Sequence, residues 1–217
     1  MSAAPALLEP LQVFDAASFA AGAGATATQM VDLEQLRSML ADWNERINLV
    51  SAASLAEFWP RHALDSAQLL RIAPAARTWV DIGAGAGFPG LVLAILLKGE
   101  AGAKVHLVES VAKKGRFLEA VVEALSLPAQ VHNDRAENLS LKADVVTARA
   151  VAPLGRLLGF AKPYFSRGAV GLFHKGRGAD AEIADARAAW RFTCNVIPSL
   201  SDPEGRILKV EGLSRAR

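Results

Sequence analysis

Apolar positions recur at helical spacing in the first third of the chain. Leu33, Leu36, Leu40, Trp43 and Ile47 follow one another at steps of three and four, which predicts an amphipathic helix from about Val31, with Asp32 placed to cap its start. A second helical stretch opens at Ser54-Leu55-Ala56-Glu57, which has capping-box spacing. It carries Leu55, Phe58, Trp59, Leu64, Leu69 and Leu70, with Pro60 bending or splitting it. Ahead of both, residues 1–28 are alanine-rich, broken by Pro5, Pro10, Gly22 and Gly24, and hold no sustained period. They read as a loosely ordered arm, followed by a helical layer over residues 29–76.

At Arg77 the texture changes. Short apolar runs alternate with longer helical patterns, the sign of βαβ units around a mostly parallel sheet. Strands are expected at Thr78–Ile82, Lys104–Glu109, Ala129–Asn133, Asp144–Ala148 and Ala169–His174, with weaker strands at Cys194–Ile197 and Arg206–Glu211. Helices are expected at Phe88–Leu97, Val111–Leu125, Pro153–Phe165 and Ala179–Phe192. No internal repeat is visible. The expected fold is α/β: a mostly parallel seven-stranded sheet over residues 77–217, helices on both faces, and the N-terminal helical layer packed with it as one compact unit.

Composition agrees with this and narrows the class. Of 217 residues, 52% are apolar and 21% charged, enough for a buried core and too apolar for a disordered chain. Lys plus Arg number 24 against 22 Asp plus Glu, so the chain is no tail-driven polyanion binder, although a locally basic surface is allowed. Cys194 is the single cysteine, which excludes an intramolecular disulfide and a cysteine zinc cluster, and no metal is expected. The longest apolar run, Phe88–Leu97, contains a Pro-Gly pair and falls short of the ~20 residues a membrane span needs. The first fifteen residues include Glu9 and Asp15 and no Lys or Arg, unlike a signal peptide. A soluble cytoplasmic protein is the expectation.

The segment Trp79-Val80-Asp81-Ile82-Gly83-Ala84-Gly85-Ala86-Gly87-Phe88-Pro89-Gly90 runs from a strand through glycines into a helix. Such a loop brings backbone N–H groups close to a ligand, where a plain αβ turn needs fewer glycines. Gly85-Ala86-Gly87-Phe88-Pro89-Gly90 formally matches the dinucleotide pattern, but the frame starts late and the strand ends in Asp81. A carboxylate repels a diphosphate and attracts an α-ammonium group. Asp81 with Gly83 and Gly85 therefore suits S-adenosylmethionine better than a nicotinamide dinucleotide; the structural alternative for Asp81 is a loop-capping carboxylate. Glu109 ends the next strand, where an acid can accept hydrogen bonds from ribose hydroxyls; the structural alternative is a partner for the N-terminus of the helix that follows.

Basic residues stand in a position that needs explaining. Lys113, Lys114 and Arg116 open the helix expected at Val111–Leu125, facing the positive end of its dipole. Glu109 and Glu119 can offset them, or a polyanion contacts them. Arg149 follows a strand at the sheet edge where α/β ligands collect. Arg61 and His62 lie in the second helical stretch, where a lone histidine is more often packed than functional.

Several elements, in this order, resemble one family. They are Trp43-Asn44-Glu45-Arg46-Ile47-Asn48-Leu49, His62-Ala63-Leu64-Asp65-Ser66, the Asp81–Gly90 loop, Leu107-Val108-Glu109-Ser110, Lys113-Lys114, Phe117-Leu118, Arg135-Ala136-Glu137, Ala148-Arg149-Ala150 and Lys175-Gly176. The chain thereby resembles the bacterial small-subunit ribosomal RNA guanine-N7 methyltransferases, also called glucose-inhibited division protein B, from about Trp43 to Gly176. The resemblance implies a class I Rossmann-like methyltransferase using S-adenosylmethionine held by Gly83, Phe88, Ala136, Glu137 and Arg149. It also implies 16S ribosomal RNA, naked or in an assembling subunit, as partner. His62, Asp65, Lys113, Lys114 and Lys175 match family positions placed for the RNA or for shaping the pocket, and of these His62, Lys113, Lys114 and Lys175, with Arg116 of the basic cluster, are the expected RNA contacts. A monomer acting on neither DNA nor membrane is expected.

The chemistry is compatible. Guanine N7 already carries an in-plane lone pair, so methylation needs positioning and no general base. The chain lacks an Asn/Asp-Pro-Pro-aromatic element for exocyclic amines, and Cys194 has no preceding proline to suggest a nucleophile. Arg149 could orient the guanine or hold the methionine carboxylate. Three rivals stand beside this reading. A nicotinamide-dependent oxidoreductase lacks a Tyr-x-x-x-Lys relay, since Gly168 follows Tyr164 at that spacing. The others are a non-enzymatic RNA-binding module and a small-molecule methyltransferase.

Overall fold

The computed structural model describes residues 15–216; residues 1–14 of the expected arm lie outside them. From Asp15 onward that expectation is corrected. Asp15 caps helix α1 (Ala16–Ala23), accepting the Ser18 N–H at 2.9 Å while the Ser18 hydroxyl oxygen accepts the Asp15 N–H. Phe19 on this helix is fully buried, its ring 5.4 Å from Trp59. Alanine is itself the best helix former, so α1 needs no long apolar stripe, only one aromatic anchor.

Helix α2 (Ala27–Asn44) starts at Thr26, whose hydroxyl and Gln29 form a capping box. Asp32 is therefore not its cap: it sits inside the helix, buried, 2.8 Å from Lys98 Nζ. The second stretch divides into α3 (Ala52–Ala56), π-helical turns over Phe58–Leu64, and α4 (Asp65–Ile72). Ser51, not Ser54, caps α3. Pro60 stands in the opening π-helical turn, where its missing N–H sacrifices little.

The sheet comprises β1 (Thr78–Ile82), β2 (Lys104–Val108), β3 (Ala129–His132), β4 (Val145–Arg149), β5 (Val170–Lys175), β6 (Trp190–Pro198) and β7 (Arg206–Arg215). Its order is β3-β2-β1-β4-β5-β7-β6, with the first five strands parallel and β7 antiparallel to both neighbours. Helices α5 (Gly90–Leu96), α6 (Ala112–Ala124), α7 (Leu154–Phe165) and α8 (Ala179–Ala186) connect them. The helix expected over Ala179–Phe192 thus ends at Ala186. Trp190 and Phe192 are buried while Arg191 and Thr193 are exposed, a period of two that belongs to β6.

Two apolar layers flank the sheet. Trp79, Val105 and Leu107 pack with α5, α6 and the helical front on one face; Val80, Ile82, Val146 and Ala148 pack with α7 and α8 on the other. The chain winds outward from β1 in one direction and from β4 in the other, so the crevice beyond the carboxyl ends of these two strands is where this topology binds ligands. Among the described residues no helix is long and apolar enough to cross a membrane.

Because Phe19 is an integral core side chain, Phe19→Ala should cost about 3–5 kcal/mol of folding stability. Urea denaturation measures this, and a loss below roughly 0.5 kcal/mol would mean α1 is only loosely docked.

Candidate active site

The carboxyl ends of β1 and β4 border two cavities. The smaller, about 250 Å³, opens on Gly83 and is bounded by Ile82, Val108, Ser110, Asp134, Ala136 and Glu137. The larger, about 870 Å³, is bounded by His62, Asp65, Arg149, His174, Lys175 and the segment from Ser199 to Arg206, among others. Val151 lines both. A side chain at Gly83 has no room against it, since an added Cβ would lie 2.7 Å from Val151 Cγ2, and the Gly83 φ of 66° is itself a glycine conformation.

Two acids shape the glycine loop from behind. Glu109 accepts the Gly85 N–H at 2.9 Å on one carboxylate oxygen and the Val111 N–H at 2.7 Å on the other. It therefore fixes the loop and supplies the negative charge at the start of α6, where the first turn holds no acid of its own. Glu109 was expected to face a ribose; it is buried, does not line the smaller cavity, and both its oxygens hold backbone. Asp81 is fully buried, with one oxygen accepting the Gly90 N–H at 2.9 Å and Oδ1 without a partner among the described residues. Burial pushes its pKa up to about 7, against the Gly90 hydrogen bond and the charge of Arg149. Asp81 so occupies the N-terminus of α5 and lines neither cavity.

Arg149, at the end of β4, organises the junction. Nη1 donates to the Arg61 carbonyl at 2.9 Å and to Asp65 Oδ2 at 3.1 Å, and Nη2 donates to His62 Nδ1 at 2.8 Å. A guanidinium only donates, so His62 Nδ1 is an acceptor and its Nε2–H donates to Ser54 Oγ at 2.7 Å. His62 is thus a neutral imidazole, and burial, followed by the charge of Arg149, pushes its pKa down to about 3. Its ring stacks on Phe88, centroids 4.3 Å apart and planes within 6°. Arg149 also lies over the Phe88 ring at 5.2 Å.

Several residues carry roles that their positions in the sequence did not announce. Tyr164 is buried in α7 and donates to the Ala136 carbonyl at 2.9 Å, propping the short 3₁₀ turn Ala136–Asn138 that brings Glu137 to the smaller cavity. Ala150 has a φ of 56°, a conformation that costs a non-glycine residue on the order of 1 kcal/mol. Asp65 collects donors from three distant segments. The contacts of Tyr164 and Asp65 join partners far away in sequence, so spacing along the chain does not reveal them.

The expected RNA contacts separate into two groups. Lys113 and Arg116 are exposed and Lys114 half-buried on the first turns of α6, at the sheet edge that bears the cavities, and none has a side-chain hydrogen bond or ion pair among the described residues. His62 and Lys175 differ. His62 is buried and neutral, so it offers no charge to phosphate. Lys175 Nζ is held at 2.7 Å by both Glu182 and the Ala152 carbonyl, so its charge is compensated within the protein. Cys194 lines neither cavity, and burial pushes its thiol pKa up.

The family model described as rRNA small subunit methyltransferase G matches residues 29–205. Ribosomal RNA small subunit methyltransferase G of Caulobacter vibrioides (strain NA1000 / CB15N) is 58% identical over 210 residues, covering 97% of either chain. The protein of the same name from Parvibaculum lavamentivorans is 47% identical over 206 residues, covering 93% of this chain and 91% of its own. Among solved structures, the SAH-bound Podospora anserina methyltransferase PaMTH1 superimposes with a TM-score of 0.57 at 12% identity, covering 86% of this chain and 88% of that one. The Bacillus cereus O-methyltransferase in complex with SAH gives 0.54 at 15% identity, covering 84% and 91%. At such identities the likeness speaks for the fold alone.

Neutral burial of His62 has a pH signature. An unfolded histidine titrates near 6.5, so the stability tied to neutral His62 is complete above that pH and is lost as the pH falls toward about 3. Between pH 6.5 and 5 the loss should be about 1.6 kcal/mol. Asp81 acts oppositely, its contribution declining as the pH rises from its ordinary range toward about 7. Comparison with His62→Gln isolates the histidine: in urea titrations the wild-type advantage should shrink on acidification, and a pH-independent difference would contradict a neutral buried ring.

Proposed function

The chain belongs to the rRNA small subunit methyltransferase G family, and from that premise we propose that it transfers the methyl group of S-adenosylmethionine to N7 of a guanine in small-subunit ribosomal RNA. The observation that carries this is the pairing of a small cavity at the glycine loop with a larger one across Val151. Two ligands can thereby meet end to end.

The residues fit the cofactor. Ile82, Val108 and Val151 give the smaller cavity apolar walls, while Ser110, Asp134 and Glu137 offer hydrogen-bonding groups of the kind ribose hydroxyls and an adenine require. Gly83, Ala136 and Glu137 would hold the nucleoside. The unpartnered Asp81 oxygen lies beneath the loop and, when ionised, favours a cationic ligand above it. A dinucleotide fits less well: its diphosphate would need the N-terminus of α5, and there the Gly90 N–H is already taken by the Asp81 carboxylate. When bound, S-adenosylmethionine supplies an electrophilic methyl group on a sulfonium.

Arg149 would hold the α-carboxylate of the cofactor. It rests on Phe88 of the glycine loop, and three of its five N–H donors are used, leaving two. Charge decides between carboxylate and guanine. N7-methylguanine is a cation, and a guanidinium set against it would oppose the reaction, whereas a carboxylate is stabilised. No group at the junction has to remove a proton. His62 Nδ1 is committed to Arg149 and Lys175 to Glu182, which suits an acceptor whose lone pair is already exposed.

The larger cavity has room for a nucleotide lifted from its helix, and Lys113, Lys114 and Arg116, on the helix that follows Ser110 of the smaller cavity, offer phosphate contacts. Because N7 lies in the deep, narrow groove of an RNA duplex, an assembling subunit with the guanine accessible is the better substrate. Such a substrate places the protein in the cytoplasm. Its described large apolar exposures are three separate valines, Val31, Val111 and Val196, which suits a monomer.

Calorimetry should show binding of S-adenosylmethionine and none of NAD; NAD binding alone would overturn the proposal. Gly83→Ala should weaken cofactor binding about tenfold or more through backbone strain and the Val151 clash. Mass mapping of ribosomal RNA from cells with and without the gene should show one N7-methylguanine lost, while absence of any methyl incorporation would leave an RNA-binding module.

A further inference from the structure

Asp65 lies in the first turn of α4 and its carboxylate reaches side chains from three other parts of the chain. Oδ1 accepts the Ser201 hydroxyl at 2.6 Å and Gln68 Nε2 at 3.0 Å, and Ser199 Oγ stands 3.5 Å away. Oδ2 accepts Arg149 Nη1 at 3.1 Å and has His174 Nε2 at 3.6 Å. His174 Nε2 in turn donates to the Asp65 backbone carbonyl at 2.9 Å, so main chain and side chain are both fixed. Gln68 closes the arrangement, donating to Ser199 Oγ at 3.1 Å and accepting the Leu200 N–H at 2.8 Å. Asp65 is 9% exposed and lines the larger cavity without lining the smaller one.

A residue whose purpose was only to neutralise Arg149 would need one contact. This one is oriented from several sides, by the connection between β6 and β7, by β5 and by its own helix, and it bonds a single edge of the guanidinium. The edge it fixes decides where the two unused N–H donors of Arg149 point. We infer that Asp65 is a positioning residue for the amino-acid end of the cofactor, acting through Arg149 and aligned by Ser201. This rests on the cofactor reading above, and it adds a specific consequence: Asp65 affects only ligands that carry the carboxylate Arg149 would hold. 5′-Methylthioadenosine shares the nucleoside and lacks the amino-acid end.

Calorimetric titration of the full chain with S-adenosylmethionine and with 5′-methylthioadenosine tests this. Asp65→Asn should weaken S-adenosylmethionine about 5- to 20-fold and leave 5′-methylthioadenosine within about twofold. In an Arg149→Gln background the same change should have no further effect, because the residue it acts through is gone. Asn at this site also leaves the Arg149 charge without its partner, which lowers the melting temperature; Ser201→Ala removes only the neutral hydroxyl that aligns Asp65, so it tests the inference in a chain that keeps this ion pair, and should weaken S-adenosylmethionine alone by about threefold. Equal weakening of both ligands, no weakening of either, or an undiminished effect in the Arg149→Gln background overturns the inference. Failure of the wild-type chain to bind S-adenosylmethionine would instead count against the cofactor reading.

Discussion

A guanidinium that is largely withdrawn from water must be compensated, and the arrangement around Arg149 follows from that need. Its side chain is only 20% exposed. Left without partners, a charge at such depth would cost several kcal/mol, roughly 3–5 in measured cases. The compensation comes from elsewhere in the chain: Asp65, His62 and the Arg61 carbonyl from the helical front, and the Phe88 ring from the glycine loop. The helical layer is therefore part of the site and not an appendage to a complete methyltransferase-like sheet. Phe58 and His62 lay it directly on Phe88, with ring centroids 6.0 and 4.3 Å away.

Three acids surround the same region and each is used differently. Asp65 is opposed by burial, yet His174, Arg149 and the Ser201 hydroxyl together hold its carboxyl below the usual carboxylate range. Asp81 has one backbone N–H and too little else to offset complete burial, so its pKa rises to about 7. Glu109 spends its two oxygens on two backbone N–H groups. Only the first meets a cation directly. The other two set the shape of the glycine loop, so a ligand would meet backbone that acids have positioned, with the acids themselves behind it.

This difference explains which parts were legible in the sequence. The strand Thr78–Ile82 was read to the residue, and the other parallel strands within a residue or so, because buried parallel strands are short, apolar and bounded by turns. The glycine loop was legible because glycine at positive φ has few substitutes. What a sequence leaves open is direction and distance. Asp81 and Glu109 stand where ligand-facing acids often stand, and a sequence does not reveal which way a carboxylate turns. His62 and Lys175 look like phosphate contacts until Arg149 and Glu182, 87 and 7 residues away, take them up. Trp190 and Phe192 show a period of two, but two alternating positions at the end of an alanine-rich helical pattern are too few to mark a strand. Helix α1 gave almost no signal, since a single buried Phe19 carries its docking.

The strained Ala150 shows why the connection after β4 has to be held so firmly. On one side Arg149 is anchored through three hydrogen bonds; on the other Val151 is wedged against Gly83, where no side chain fits. Two residues further on, Lys175 donates to the Ala152 carbonyl and to Glu182, whose same oxygen accepts the Leu154 N–H at 2.6 Å and so caps α7. An alanine keeps a left-handed conformation only where both flanks over-determine it. That conformation sets Val151 between the two cavities, where it lines both. A direct methyl transfer, with no base to tune and no covalent intermediate, gains its rate from alignment.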